Sequence, residues 1–358
     1  VDGEPLVGDP AVRRVFTDPT RIAREFKRRL GDPVPLIVGG SPRSAESLTA
    51  ALLRHVIDRV AAAEGGAPDR IVVTVPANWG PYKLSLMEQV LQLAAVTGAQ
   101  IMAEPVAAAH YYAHEGRVAD GATVVVFDFG GGTFDAAIVQ REGSHFHMLG
   151  EAKGLERLGG VDLDHAVFDH ALKAGRVDLT KIDETEDAIV GIARLRQDCT
   201  LAKEALSYDS SAAIPVMLPE RQTTVRLNRS EFEQMIRPSI HDAVTTVETM
   251  VTDAGLSQER VDAVLLVGGS SRIPLVAQIL AERLGRPIVS DAHPKHTIAL
   301  GAALSTDSSP SAGDLAADRG VTSSAAVPSA TAPPTPTPPP ASPSPPARPS
   351  PPAVQPEP

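Results

Sequence analysis

Hydrophobic and polar positions follow two periods along the first 305 residues, and each period predicts one kind of element. Short apolar runs bounded by Gly or Pro predict buried strands at 70–77, 99–102, 123–129, 133–139, 212–218, 223–228 and 261–267. Apolar residues three or four apart predict helices at 41–60, 81–98, 104–116, 187–206, 230–255, 273–285 and 296–304. Strands that alternate with helices of this length are typical of an α/β fold.

The first of these helices has the most explicit boundary signal. Ser41 followed by Pro42 resembles an N-cap with Pro at the first helical position. Leu48 and Leu52 begin an apolar stripe in which every fourth residue is hydrophobic, continued by Val56 and Val60. We therefore expect a helix from about residue 42 that buries this stripe.

Composition and charge narrow the class of protein. The chain has 358 residues, which suggests about two domains, and 43% of them are hydrophobic. Its net charge of −11 argues against a general nucleic-acid binder, and its apolar runs are too short to span a membrane. The single cysteine, Cys199, cannot form an internal disulfide and indicates a reducing, cytoplasmic setting.

The last 53 residues, 306–358, have a different composition from the rest. Fifteen of the 31 residues from Pro328 to Pro358 are proline, which predicts an extended, disordered tail. We expect a solvated spacer, with a docking ligand for a proline-reading partner as the alternative.

The stretch "FDFGGGTFD" places three glycines and a threonine between two aspartates at the end of a predicted strand. Glycines without a β-carbon let a phosphate approach the backbone closely. Asp128 and Asp135 can then hold hydrated Mg²⁺ or orient a water molecule. The alternative is a glycine-rich hairpin in the core. The contributing residues are Gly130, Gly131, Gly132 and Thr133.

A second stretch, "VLLVGGSSRIP", repeats this arrangement of a buried strand, glycines, hydroxyls and a helix. Glycines at the carboxyl end of a strand are where α/β folds bind nucleotides. No P-loop and no G-x-G-x-x-G follows a strand, so the two stretches indicate a nucleotide held between two lobes. The residues concerned are Gly268, Gly269, Ser270 and Arg272.

Three weaker signals favour ordinary structural roles. His110 and His114 have the i,i+4 spacing of metal ligands but lack the Glu of H-E-x-x-H, so a helix face is the better interpretation. The histidines of "HFH" at 145–147 fit one side of a strand. Cys199 has no C-x-x-C partner and is expected to pack in the core.

Taken together, the motifs resemble those of the nucleotide-binding domain of the 70-kDa heat-shock (DnaK-type) chaperones. The matching stretches are "VTVPANW", "AEPVAAAHYYA", "VVVFDFGGGTFDAAIV", "RLGGVDLD", "RLRQDCTLAKEALS" and "VLLVGGSSRIPLV", over about residues 5–304. The resemblance implies an actin-like ATPase, a two-lobe ribonuclease H-like fold closing on Mg²⁺ with ATP or ADP. We expect a first lobe over 1–118 and a second over 119–305.

The resemblance also implies roles for individual residues. Gly130 to Gly132 and Thr133 would wrap the β- and γ-phosphates, Asp128 would hold Mg²⁺ through water, and Asp135 would lie near the attacking water. Glu104 would join the same network of metal and water. The remaining binding residues would be Gly159 and Gly160 at the phosphates, Lys203 and Ser207 at ribose and adenine, and Gly268, Gly269, Ser270 and Arg272 around adenosine.

Several positions depart from the family pattern. The chain begins after the family's first phosphate hairpin, so the fold is expected to be incomplete at its N-terminus. Val12, followed by Arg13 and Arg14, stands where the family has its catalytic lysine. Thr200 replaces an acidic residue, and Lys295 replaces an acidic residue near a bound monovalent cation. The Lys295 ammonium would stand in for that cation, or it is an exposed loop lysine.

Two functions of different class remain open at this point. The first is a chaperone-family ATPase that serves protein folding and the stress response, together with unfolded clients and co-chaperones. The second is a non-catalytic nucleotide-binding or scaffold protein with a proline-rich tether. An actin-fold sugar or acetate kinase is a weaker third, because no substrate pocket is evident. The peptide-binding domain of the family has no counterpart after residue 305.

Overall fold

A computed structural model describes residues 5–182, 185–219, 221–291 and 293–305 of the chain. The helices are α1 (Asp9–Arg13), α2 (Ala45–Glu64), α3 (Pro81–Leu93), α4 (Glu104–His114), α5 (Gly160–Gly175), α6 (Glu186–Ala205), α7 (Arg229–Asp253), α8 (Pro274–Leu284) and α9 (Thr297–Leu304). The strands are β1 (Leu36–Val38), β2 (Ser41–Arg43), β3 (Val72–Val75), β4 (Gln100–Ala103), β5 (Thr123–Phe129), β6 (Phe134–Glu142), β7 (His145–Leu155), β8 (Ser211–Leu218), β9 (Arg221–Asn228), β10 (Ala263–Val267) and β11 (Ile288–Ser290). The predicted disordered tail, 306–358, and its proline-reading partner lie outside the described residues.

A five-stranded mixed sheet carries the first glycine stretch. Its order is β11-β10-β5-β6-β7, with β10 parallel to β5 and β11, and with β5, β6 and β7 antiparallel. The predicted hairpin is confirmed, and Asp128 pairs with Asp135 in its register. Alternate residues of β5 enter different cores, with Phe127 on one face and Val126 on the other. Burial on both faces fixes the register of the strand that ends at the glycines.

A parallel pair, β3 and β4, forms the second sheet that ends near the glycine turn. Val75 of β3 pairs with Ala103 of β4, so both strands end at the same level. Helices α2 and α3 pack against this pair through a separate apolar cluster that includes Ile57 and Val90. Glu104 follows β4 directly and begins α4. Its side-chain carboxylate therefore lies near the C-terminal ends of the two strands.

The start and the buried face of α2 differ from the prediction. Ser41 and Pro42 belong to strand β2, and the N-cap is Ser44, whose hydroxyl accepts a hydrogen bond from the Ser47 N–H. A step of four residues turns a helix by 400°, so a stripe with that spacing drifts 40° around the axis at each step. Val56 and Val60 accordingly lie on the exposed side, 49% and 44% accessible. The core-facing residues are Ala50, Leu53 and Ile57.

Most other predicted elements are confirmed, with small shifts at their ends. Helix α3 ends at Leu93, before the predicted stop at Gly98. Strands β8 and β9 form the predicted hairpin, and α7 begins with a capping box between Asn228 and Glu231. Helix α5, the β1–β2 hairpin and β11 were not predicted. The three strands have only three residues each, whereas α5 buries Leu163, Val167, Phe168 and Ala171 at helical spacing, a pattern that was overlooked.

The remaining predictions concern single residues and the membrane. Cys199 is buried in the core, and His145 and His147 lie on the exposed side of β7. The His110 ring packs edge-on against Phe146, with 4.6 Å between ring centroids. Among the described helices, none combines the length and apolar character that crossing a membrane requires. The division at residues 118 and 119 falls in the loop between α4 and β5 and stays a prediction.

Helices α4 and α9 approach each other unusually closely. A β-carbon added to Gly301 would lie 1.7 Å from the carbonyl oxygen of Ala107, so only glycine fits at this crossing. Thr297 and Gly301 of α9 are both buried. The last described helix therefore supports α4, the helix that begins at Glu104.

Candidate functional site

A cleft of about 960 Å³ opens where β3, β4, β5 and β10 end. Strands β5 and β10 are parallel, with Val267 paired to Asp128, so the loops that follow them leave the sheet side by side. This is the position at which open α/β sheets bind ligands. The predicted residues that line the cleft are Glu104, Asp128, Gly130, Gly131, Gly132, Thr133, Asp135, Gly160, Lys203, Ser207, Gly268, Gly269 and Ser270.

The triple-glycine turn is held by hydrogen bonds to its carbonyl groups. The N–H groups of Gly160 and Val161, at the start of α5, donate to the carbonyls of Gly130 and Gly131 over 3.0 and 2.9 Å. The Ser270 hydroxyl donates to the Gly130 carbonyl over 2.8 Å. A β-carbon added to Gly131 would meet no atom within 4 Å, so the turn has free space at its centre.

Two further glycines allow the neighbouring segments to touch this turn. A β-carbon on Gly159 would lie 2.4 Å from the carbonyl carbon of Gly132. Gly268 has φ 84°, and its β-carbon would lie 2.4 Å from the Phe129 carbonyl oxygen and 2.7 Å from Asp128 Oδ1. These glycines are required by close backbone approach.

Three carboxylates converge beside the turn. Asp128 and Asp135 are half-buried and lie on either side of the hairpin turn. The buried Glu104 comes from the first turn of α4. Asp135 accepts hydrogen bonds from the Thr133 hydroxyl over 2.8 Å and from the Asn78 amide over 2.6 Å. These two hydrogen bonds fix the orientation of the Asp135 carboxylate.

Burial and the charges of neighbouring carboxylates raise the pKa values of Asp128 and Asp135. Burial, together with the charges of Glu104 and Asp135, raises the pKa of Asp128 to about 8. Burial also raises the pKa of Asp135, against the lowering effect of the hydrogen bonds from Thr133 and Asn78. Such a group of carboxylates favours the binding of positive charge.

The opposite wall of the cleft comes from α5 and α6. Lys203 is buried, donates to the Gly160 carbonyl over 3.0 Å and contacts Asp164 Oδ1 at 2.8 Å. Lys295 contacts Glu204 Oε1 at 3.3 Å, with both side chains about half exposed. Ser207 lies in the turn after α6, which ends at Ala205. Lys203 and Ser207 nevertheless both line the cleft.

Two predicted site residues and the position assigned to the catalytic lysine lie off the cleft surface in the described part of the chain. Gly159 packs behind Gly132, and Arg272 ends the 3₁₀ turn Gly269–Arg272. Val12, in helix α1, is 38% exposed and does not line the cleft, and neither do Arg13 and Arg14.

Sequence reasoning missed the segment Phe26–Arg29, which reaches the cleft as a 3₁₀ turn. The Lys27 ammonium donates to Glu104 Oε1 over 2.9 Å. Arg28 donates to the Gly132 carbonyl over 2.7 Å and to Asp162 Oδ2 over 2.6 Å. No local pattern marks these residues, because their partners lie 77 to 134 positions further along the chain.

The donor set suits a magnesium ion that keeps most of its water. Among the described residues, no group of three His, Cys, Asp or Glu side chains is arranged to hold a metal alone. Mg²⁺ is usually bound by one or two carboxylates together with substrate phosphates and water. Asp128, next to the open turn at Gly131, fits that manner of binding. Among the described residues, His110 and His114 do not belong to a group of three possible metal ligands.

Comparison with known proteins agrees with the fold and the cleft. The family model described as Hsp70 protein matches residues 34–310. The chain is 28% identical over 311 residues to "Chaperone protein DnaK" of Methanothermobacter thermautotrophicus, covering 85% of this chain and 51% of that protein. It is 27% identical over 314 residues to "Chaperone protein DnaK" of Nitrosopumilus maritimus, covering 85% and 48%.

The chain thus spans about half the length of these curated relatives. The mixed sheet, the glycine turn and the carboxylates between two sets of strands are the actin-like ATPase arrangement expected from the sequence motifs. The family match covers well over half of the chain. This protein belongs to the Hsp70 family and contains its nucleotide-binding, actin-like ATPase domain.

Proposed function

We propose that this protein binds ATP with Mg²⁺ in the cleft and hydrolyses it to ADP. The observation that carries the proposal is the triple-glycine turn, which has free space at Gly131 and three carboxylates beside it. A turn of this kind admits phosphates, and the carboxylates provide for a metal ion and for water.

Each part of the cleft has a task in this reaction. Gly131 leaves room for the phosphates against the backbone, and Asp128 would hold the metal through water. Bound there, Mg²⁺ would neutralise charge on the β- and γ-phosphates. Asp135, fixed by Thr133 and Asn78, orients the attacking water. Catalysis of this type depends on positioning and charge stabilisation.

The first test is calorimetric titration of the full chain with Mg-ATP. We expect a Kd on the order of micromolar, which corresponds to a standard free energy of binding of about −8 kcal/mol. Gly131→Val should abolish binding, because its side chain fills the space meant for phosphate, where an added β-carbon meets no protein atom within 4 Å. The thermal unfolding temperature of Gly131→Val should stay within about 2 °C of the wild type, since a surface change alters stability little.

Gly66→Val is the matched control, because Gly66 also has open space around its β-carbon but lies outside the cleft. It should bind Mg-ATP like the wild type. Binding by Gly131→Val at wild-type strength, or its loss in Gly66→Val, would contradict this assignment of the phosphate site.

A second candidate function is nucleotide binding without hydrolysis. It is favoured by Val12, which the motif resemblance aligns with the family's catalytic lysine and which lies outside the cleft. A scaffold of this kind would bind Mg-ATP in the titration above and release no phosphate over many binding lifetimes. Measurement of phosphate release therefore separates the two candidates.

The proposal extends to the biological setting. Relatives named chaperone protein DnaK suggest that ATP turnover here serves protein folding or assembly, with unfolded clients and co-chaperones. We place this work in the cytoplasm and include a response to stress. Pull-down of unfolded model proteins in the presence of ATP and of ADP tests it, and capture that is equal in both states would count against it.

A further inference from the structure

The cleft contains a cation that the sequence motifs did not assign. Lys27 extends from the 3₁₀ turn Phe26–Arg29, and its ammonium donates to Glu104 Oε1 over 2.9 Å. The Lys27 side chain is 54% exposed whereas that of Glu104 is 10% exposed. The ammonium therefore covers a buried carboxylate and still faces the open cleft.

Lys27 acts on all three carboxylates and not on Glu104 alone. Burial lowers the pKa of its ammonium, but the charge and hydrogen bond of Glu104 and the charges of Asp128 and Asp135 raise it overall. The Lys27 charge in turn opposes the upward pKa shifts of Asp128 and Asp135. This one ammonium offsets the repulsion within the group.

Four other cations that line the cleft, besides Arg157, have partners of their own. Their partners are the Gly132 carbonyl and Asp162 for Arg28, Glu156 for Lys83, Asp164 for Lys203, and Glu204 for Lys295. Each of these pairs lies on a wall of the cleft and none involves the three carboxylates. Within the described part of the chain, Lys27 is the lining cation whose hydrogen-bond partner is one of the three carboxylates.

The backbone around Lys27 is shaped to hold it in this direction. Glu25 has φ 56°, a left-handed conformation that is uncommon for a residue with a side chain. On the other side of Lys27, Arg28 binds the Gly132 carbonyl and Asp162. Lys27 thus ties the segment to Glu104, and the next residue, Arg28, ties it to the glycine turn. These two contacts fix the direction of the Lys27 side chain.

We propose that Lys27 is a catalytic residue of the ATPase reaction, donating hydrogen bonds to the γ-phosphoryl group while it holds Glu104. The assignment rests on the proposed function. Lys27 would supply a lysine that faces the phosphates. Val12, which stands where the family has its catalytic lysine, lies outside the cleft. Charge placed beforehand where negative charge develops is an effective form of catalysis.

The reaction step is a transfer of the phosphoryl group to water. The water oxygen forms a bond to the γ-phosphorus, the bond from that phosphorus to the β–γ bridging oxygen breaks, and ADP leaves with its electron pair. The proton that the water loses passes to Asp135 and then to the released phosphate. Lys27 keeps its proton throughout and stabilises the charge on the γ-phosphoryl oxygens.

The test compares Lys27→Met and Lys27→Arg with the wild-type full chain in single-turnover hydrolysis and in Mg-ATP titration. Removal of one preorganised donor lowers a rate by about 100- to 1,000-fold, so we expect a loss of this size in Lys27→Met. Its Kd should change less than about tenfold. Lys27→Arg should recover part of the rate, because it keeps the charge with a different shape.

Lys153→Met is the matched control. Lys153 also pairs with a carboxylate, Asp253, but lies outside the cleft. It should hydrolyse ATP at the wild-type rate. A second readout needs no nucleotide: in a double-mutant cycle with Glu104→Gln, Lys27→Met should lower the unfolding temperature by itself but by much less once Glu104 is neutral.

The outcomes separate the two proposals. Wild-type hydrolysis with an unchanged rate in Lys27→Met overturns the catalytic role of Lys27 and leaves the ATPase proposal intact. Binding of Mg-ATP without hydrolysis by the wild type also overturns this role and establishes the non-catalytic candidate. Absence of Mg-ATP binding by the folded wild type overturns the proposed function itself. Additive temperature shifts in the cycle show that Lys27 and Glu104 are not coupled, and also overturn the inference.

Discussion

At the scale of single residues, Asp128 carries the clearest conflict between stability and function. It lies next to two other carboxylates, and burial and their charges raise its pKa to about 8. In the unfolded chain the same group has a pKa near 4. The folded chain therefore holds more protons than the unfolded chain between about pH 4 and pH 8, and the free energy of unfolding falls as the pH rises through this range.

We predict that Asp128→Asn raises the unfolding temperature of the nucleotide-free protein at pH 8, because it removes a charge that folding must bury. The gain should be smaller at pH 6, where folded Asp128 already holds a proton, and negligible near pH 4. Scanning calorimetry at the three pH values measures it. Asp69→Asn, at an exposed aspartate outside the cleft, is the control. A gain that is independent of pH would contradict the explanation.

Residue-scale prediction from sequence succeeded where the signal is local. The glycines and aspartates of "FDFGGGTFD" lie within nine positions of one another, and the structure brings them to one cleft. Lys27 and Asn78 gave no such signal, because their partners Glu104 and Asp135 lie 77 and 57 positions away. Only the fold shows that "REFKRRLG" contributes to the cleft.

At the scale of elements, the pattern of apolar residues predicted most helices and strands but not every buried face. Strands β5 and β10 are buried on both sides, so their apolar runs identify them directly. Helix α2 packs on one side only, and a choice between Leu52 and Leu53 as its inward residue needs knowledge of its partner. Helix α5 begins with glycines at the cleft and was missed.

The crossing of α4 and α9 leads to a prediction at this scale. Gly301→Ala should lower the free energy of unfolding by at least about 2 kcal/mol, because its β-carbon overlaps the Ala107 carbonyl and the helices must separate. Urea denaturation measures the change. Gly66→Ala, the same substitution at an open position, should cost less than about 0.5 kcal/mol. Equal effects in both variants would contradict the packing explanation.

At the scale of the whole molecule, the cleft collects residues from distant parts of the chain. The residues that line it range from Glu25 to Ile298 in the sequence. Formation of the cleft therefore depends on the described fold and not on one motif. A ligand that binds only the folded state stabilises it by an amount that rises with the logarithm of its concentration once this exceeds Kd. Nucleotide binding should accordingly be visible as a change in global stability.

We predict that Mg-ATP at 100 times its Kd raises the free energy of unfolding by about 2.7 kcal/mol. A chain that ends at Ser305 should show the same gain as the full chain, because the described residues that line the cleft all precede that point. Thermal shift with and without Mg-ATP tests both chains. A weaker gain in the shortened chain would assign part of the site to residues 306–358.

The close crossing at Gly301 also bears on the order in which the protein matures on the ribosome. Synthesis proceeds from the N-terminus, so Glu104, Asp128 and Asp135 emerge long before α9. Until Thr297–Leu304 leaves the exit tunnel, α4 lacks the helix that packs against it. The nascent chain would thus acquire its full ability to retain nucleotide only near the end of translation of the globular part.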